Sequence, residues 1–122
     1  MRCLLIHLIL WSGLTSLPGL AQQPRLDCSS GPLPRTYGAT PWLVYGCSDG
    51  KSVVVVTDGA SRAAPFYFMF FPKDGKYQLV GEGTGSKPLT DRAHAELVRL
   101  TDQDIAQLVS EARKVSASKP AK

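Results

Sequence analysis

The sequence predicts an α+β domain: a four-stranded antiparallel β-meander followed by two C-terminal helices, with one disulfide. Three observations carry that expectation. Two Asp-Gly pairs, Asp49-Gly50 and Asp74-Gly75, sit between runs of β-branched and aromatic residues, the pattern of β-hairpins. The last third shifts its apolar spacing from every second residue to every third or fourth, which marks helix. Two cysteines, Cys28 and Cys47, remain once the N-terminal leader is set aside.

That leader is Met1 to Ala21. Arg2 is a minimal positive start, and Cys3 to Trp11 is an apolar run too short for a bilayer, which takes about 20 residues. Pro18-Gly19-Leu20-Ala21 supplies a break and small residues at the −3 and −1 positions, as signal peptidase requires. The mature chain is therefore expected to begin at Gln22 and to work in the periplasm or as a secreted protein. About 100 residues make one domain. Losing Arg2 lowers the formal charge of +4 by one, and the charges are mixed in sign. Nucleic-acid binders show a clustered basic stripe instead, so no nucleic-acid partner is expected. Neither is a membrane partner after cleavage.

Cys28 and Cys47 read as a disulfide, since an even pair in an oxidising compartment oxidises by default. Two thiols and the one remaining histidine, His94, fall short of a metal site, and no C-x-x-C spacing exists for redox work. No metal and no cofactor are expected.

The elements follow in order. Residues 22–40 are rich in Pro, Gly and Ser and read as an extended N-terminal arm pinned at Cys28. Trp42 to Cys47 is the first strand. Lys51 to Thr57, centred on four valines, is the second, because β-branched residues favour the pleated surface. Phe66 to Phe71 is the third and Tyr77 to Val80 the fourth. Thr90 is placed as the cap of a helix carrying Ala93, Leu97 and Leu100 on one face. Thr101, with Asp104 three residues on, reads as a capping box for a helix through Ile105, Leu108, Val109 and Ala112. The domain spans 41–115, and 116–122 reads as a disordered tail.

Val53 to Val56 and Phe66 to Phe71 are apolar at both parities, so both faces of the sheet carry apolar side chains. Two helices cover only one face. Val54, Val56, Tyr67, Met69 and Phe71 then lie under the arm and Trp42, or form a surface for a partner or a second copy.

The candidate contact loop is Gly81-Glu82-Gly83-Thr84-Gly85-Ser86-Lys87. Gly81, Gly83 and Gly85 would let the backbone approach a ligand, while exposed amides, Ser86 and Lys87 could hold a protein or a small anion. The plainer reading is a Gly-rich exit from an edge strand. It is no nucleotide loop, since Lys does not precede Ser or Thr. Ser86, His94 and an Asp lack the G-x-S-x-G elbow of a hydrolase, so no catalytic residue is assigned.

The stretch Tyr45 to Gly50, with Val53 to Val56, Pro65 to Met69, Gly81 to Lys87 and the capped helices, resembles a group of small, uncharacterised exported proteins of Gram-negative bacteria. That resemblance brings no activity. Tyr-x-Cys-x-x-Gly, a valine strand, a Tyr-x-Leu strand and a Gly/Ser/Lys loop are also similar in order to the periplasmic inhibitors of c-type lysozyme. This second resemblance implies that Ser86 and Lys87 enter a lysozyme cleft. The chain departs from it by turning helical where those inhibitors continue in barrel strands with a later cysteine. The function expected is a non-enzymatic binding module of unknown ligand. An inhibitor of an extracytoplasmic hydrolase is the alternative, and a small hydrolase comes last.

Overall fold

The computed structural model describes residues 25–119. The expected leader and its cleavage site lie outside the described residues. The chain runs β1 (Ser30–Tyr37), β2 (Thr40–Gly46), β3 (Val53–Thr57), β4 (Phe66–Lys73), β5 (Lys76–Gly83), α1 (Lys87–Leu97) and α2 (Asp102–Ser118). All five strands join one antiparallel sheet in sequence order. The α+β class holds, and the strand count is five, not four.

The added strand is β1, inside the segment expected to be an extended arm. Gly31, Pro32 and Pro34 break the alternating pattern that announces a strand, and the pairing with β2 slips between Ser30 and Leu33. Beyond the slip, Leu33 faces Val44 and Tyr37 faces Thr40. The connecting turn holds Gly38 at φ +59° and Ala39 at φ +60°, the left-handed pair that a two-residue hairpin requires. A Cβ on Gly38 would come within 2.6 Å of the Ala93 nitrogen. The turn is thus seated against α1, and its Gly38 amide donates to Glu96 Oε1 at 2.9 Å.

The other hairpins follow local chemistry. Asp74 at φ +52° and Gly75 at φ +78° form the turn between Lys73 and Lys76. In the β2–β3 link, the Asp49 carboxylate accepts from the Lys51 amide at 2.9 Å, the Ser52 amide at 2.7 Å and Ser52 Oγ at 2.6 Å. Burial pushes the Asp49 carboxyl up, but these bonds and the Lys51 charge outweigh it, and its pKa falls below the ordinary value.

α1 starts one turn earlier than Thr90, with Ser86 as N-cap and a proline in its first turn; that proline, Pro88, is pre-set for helical φ. The start of α2 matches the sequence: Thr101 Oγ1 accepts from the Asp104 amide at 3.1 Å, and Asp104 Oδ2 accepts from the Thr101 amide at 2.8 Å. α2 continues to Ser118, so residues 116–118, expected in the tail, form its last turn. Anchors there hold it: Ser116 Oγ accepts from the Gly31 amide at 2.7 Å, and Lys119 Nζ donates to the Gly31 carbonyl at 2.7 Å.

Both helices pack on one face of the sheet, α2 across β1, β2 and β3 and α1 against β1. Trp42, Val44, Val53, Val55, Phe68 and Phe70 meet Ala93, Leu97, Ile105, Val109 and Ala112 there. Trp42 is fully buried, its ring 5.3 Å from that of Phe68, and its Nε1 donates to the Tyr37 carbonyl at 3.2 Å. Cys28 and Cys47 form the disulfide, closing a separation of 19 residues. Alongside it, the Ser48 amide donates to the Asp27 carbonyl at 2.6 Å and the Asp27 amide to Ser48 Oγ at 3.0 Å.

Candidate functional site

Strand alternation sets what the second face shows. With Trp42, Val44, Val53, Val55, Phe68 and Phe70 committed to the helices, their neighbours Leu43, Tyr45, Val54, Val56, Tyr67, Met69 and Phe71 must point the other way. The register places Leu43 opposite Val56, Tyr45 opposite Val54, Val56 opposite Tyr67, Val54 opposite Met69, and Met69 opposite Val80. These side chains form one continuous apolar surface over β2 to β5.

Trp42 belongs to the helix side, and the arm lies edge-on against β2 as β1. Neither Trp42 nor the described part of the arm therefore covers this surface, and for those residues the first of the two accounts of Val54, Val56, Tyr67, Met69 and Phe71 fails. Tyr67 and Val80 remain 37% and 43% exposed, and the rest are half-buried among each other. Sequence reading found five members of the patch. Leu43, Tyr45 and Val80 were missed, although Leu43-Val44-Tyr45 and Leu79-Val80 carry the same both-parity signal.

One end of the patch hollows into a depression of about 370 Å³ lined by Val56, Thr57, Pro65, Phe66, Tyr67 and Glu82, with Gly83 at its rim. Tyr67 Oη donates to Glu82 Oε2 at 3.1 Å across it. That hydrogen bond and the Glu82 charge, with a smaller contribution from burial, hold the Tyr67 phenol above its ordinary pKa. On the opposite side of the β4–β5 hairpin, a notch of about 260 Å³ lies between Phe66, Phe68, Gly81 and the α1 residues Thr90, Asp91 and His94.

The predicted contact loop divides between these features and internal structure. Gly83 and Gly81 line the two depressions. A Cβ on Gly83 would meet the Pro65 carbonyl oxygen at 2.3 Å, and one on Gly85 would meet the Ala63 carbonyl oxygen at 1.6 Å. The amides of Thr84 and Gly85 donate to the Pro65 carbonyl at 2.9 and 3.1 Å, and the Ser86 amide to the Arg62 carbonyl at 3.2 Å. Those amides are turned inward, onto the β3–β4 loop. The Lys87 ammonium is exposed and reaches both Asp91 carboxylate oxygens at 3.1 Å. The His94 ring lies 6.0 Å from that of Phe68, and Asp91 is committed to Lys87.

Among the described residues, no group of three His, Cys, Asp or Glu side chains is placed to hold a metal ion, and no helix is long and apolar enough to cross a membrane. No family model, curated protein or solved structure matches the chain.

Proposed function

We propose that the chain is a small exported binding module, not an enzyme, that acts in the periplasm or outside the cell and takes a protein partner on the helix-free face of its sheet. One observation carries this reading: a contiguous apolar surface runs from Leu43 to Val80 across four strands, and none of the described residues covers it. Apolar patches of this kind on small soluble domains mark contact sites. The Tyr67–Glu82 pair and the depression beside it give the surface a polar edge and a recess, the anatomy of an interface core with its rim. The inward-turned amides of the Gly81–Lys87 segment and the Lys87–Asp91 pair favour a protein over a small anion.

The test compares partner capture by the wild-type chain and by a Val54→Lys, Met69→Lys variant from a periplasmic extract, with folding checked by circular dichroism. One partner recovered by the wild type and lost by the folded variant supports the reading. A partner retained by that variant but lost on Ser86→Ala, Lys87→Ala moves the site to the loop. Inhibition of c-type lysozyme measured on the same proteins separates the inhibitor alternative.

A further inference from the structure

The two edges of the sheet are built differently, and the difference points to a second copy of this chain. β1 carries Pro32 and Pro34, its pairing slips at Gly31, and the Gly31 amide and carbonyl are taken by Ser116 and Lys119. Bulges, prolines and side chains on the backbone are the means by which edges are blocked against further pairing. β5 (Lys76–Gly83) is equally long and has none of them.

The turn at Asp74-Gly75 fixes which β5 groups face outward. In a two-residue hairpin the residues flanking the turn, here Lys73 and Lys76, form a hydrogen-bonded pair, and the alternation then continues along the strand. Lys76, Gln78, Val80 and Glu82 direct their amides and carbonyls to β4. Tyr77, Leu79 and Gly81 direct theirs to the open edge.

We propose that two copies pair antiparallel through β5 about a two-fold axis at Leu79, joining their sheets into one of ten strands. This register sets Leu79 against the partner's Leu79 and Tyr77 against the partner's Gly81, so every outward amide meets an outward carbonyl. On the helix-free face it sets Lys76 against the partner's Glu82, twice by symmetry. Neither residue has a salt-bridge partner among the described residues. On the helix side Tyr77, held toward its own core by the donation of its hydroxyl to the Lys51 carbonyl at 2.9 Å, faces the residue with no side chain, so no two bulky side chains collide there. Charge, size and hydrogen-bond phase thus agree in a single self-complementary arrangement, as an isologous interface demands. Seven paired residues make a small interface of the dissociable class. The dimer uses Glu82 at the edge of the helix-free face but leaves its apolar centre open on both copies, and it is measured with no other protein present, so this proposal and the binding reading fail separately.

Sedimentation equilibrium of the oxidised chain over a concentration series should show a reversible dimer whose dissociation constant rises with salt, because the paired charges are exposed. Lys76→Glu alone and Glu82→Lys alone should each weaken it about tenfold, since each places like charges opposite each other at two symmetric positions. The double reversal Lys76→Glu, Glu82→Lys should restore it. All three changes are on exposed side chains, so folding is preserved. In hydrogen exchange, the Tyr77, Leu79 and Gly81 amides should become protected as concentration rises, while the other β5 amides do not change. A chain that stays monomeric throughout the series overturns the proposal, and leaves the edge for a strand of another protein. A dimer indifferent to both single reversals but lost on Val54→Lys, Met69→Lys places the contact on the apolar face, and also overturns it.

Discussion

The β1 side of the sheet and the β4–β5 hairpin are made of similar strands and end in opposite conditions. β1 is covered by α2, tied to it by the Arg35–Glu111 ion pair and by both backbone groups of Gly31, and stapled nearby through Cys28–Cys47. The β4–β5 hairpin is held by its own pairing, by β3 along β4, and by Phe68 and Phe70 in the core with Phe66, Tyr77 and Leu79 packed against it, with half of its side chains facing out and no strand of the described residues on its outer edge. The difference divides the sheet into a covered side and an open one. Ordering is concentrated where the helices and the disulfide lie, and apolar surface is left free where they do not.

The largest effect that would sharpen this contrast is in the core. Trp42→Ala should cost about 4 kcal/mol in denaturant unfolding, because it empties a fully buried aromatic site. Tyr67→Ala on the open face should cost well under 1 kcal/mol, as surface changes do. Equal losses at the two positions would mean that the open face is ordered by contacts within the chain, and the contrast would be gone.

Breaking the staple comes next. Cys47→Ser should lower stability by about 3 kcal/mol, the chain-entropy value for a loop of this length, and hydrogen exchange should rise mainly in β1 and β2. Exchange rising equally in β4 and β5 would show that the two regions unfold as one unit.

The glycine loop offers a smaller and sharper discrimination. Gly85→Ala puts a Cβ into the Ala63 carbonyl and should cost about 1–3 kcal/mol through overpacking. Ser86→Ala with Lys87→Ala should stay within about 0.5 kcal/mol. If Gly85→Ala is silent in thermal unfolding, the loop is not seated on the β3–β4 turn, and its glycines are free for a ligand.

The smallest effect is electrostatic. Asp49 has its pKa lowered in the folded chain, so the stability its ionised form contributes is present above the unfolded carboxylate value near 4 and is lost as pH falls through the folded value. Asp49 is an exposed residue, so the contribution is reduced by solvent screening. Asp49→Asn should lower stability slightly at neutral pH, leave it nearly unchanged below the folded pKa, and so flatten the acid limb of the stability curve. An unchanged acid limb would show that the turn gains nothing from the charge.

Four of the five strands, both helices and the disulfide were readable because each rests on local chemistry: β-branched runs, Asp-Gly turns, a Thr-x-x-Asp box, a cysteine pair. The apolar patch was half legible for the same reason, since apolar residues at both parities in β3 and β4 can only mean two apolar faces. The loop glycines were read either as an edge-strand exit or as a contact loop, and the choice was not legible, because a sequence does not show which carbonyl lies where a Cβ would stand.

Sequence alone therefore determined the α+β class, the meander order and the cap of α2, since hairpin turns and capping boxes act over four or five neighbouring residues. Only tertiary structure decided that the Pro-rich arm is a strand, that α2 extends to Ser118, and that Trp42 serves the helix side. Each of those depends on partners 5 to 88 residues away: the Tyr37 carbonyl for Trp42, the Ser116 hydroxyl and the Lys119 ammonium for Gly31. Where a segment breaks the local rules of its own conformation, as Gly31-Pro32 does, only the groups waiting across the fold can fix what it becomes.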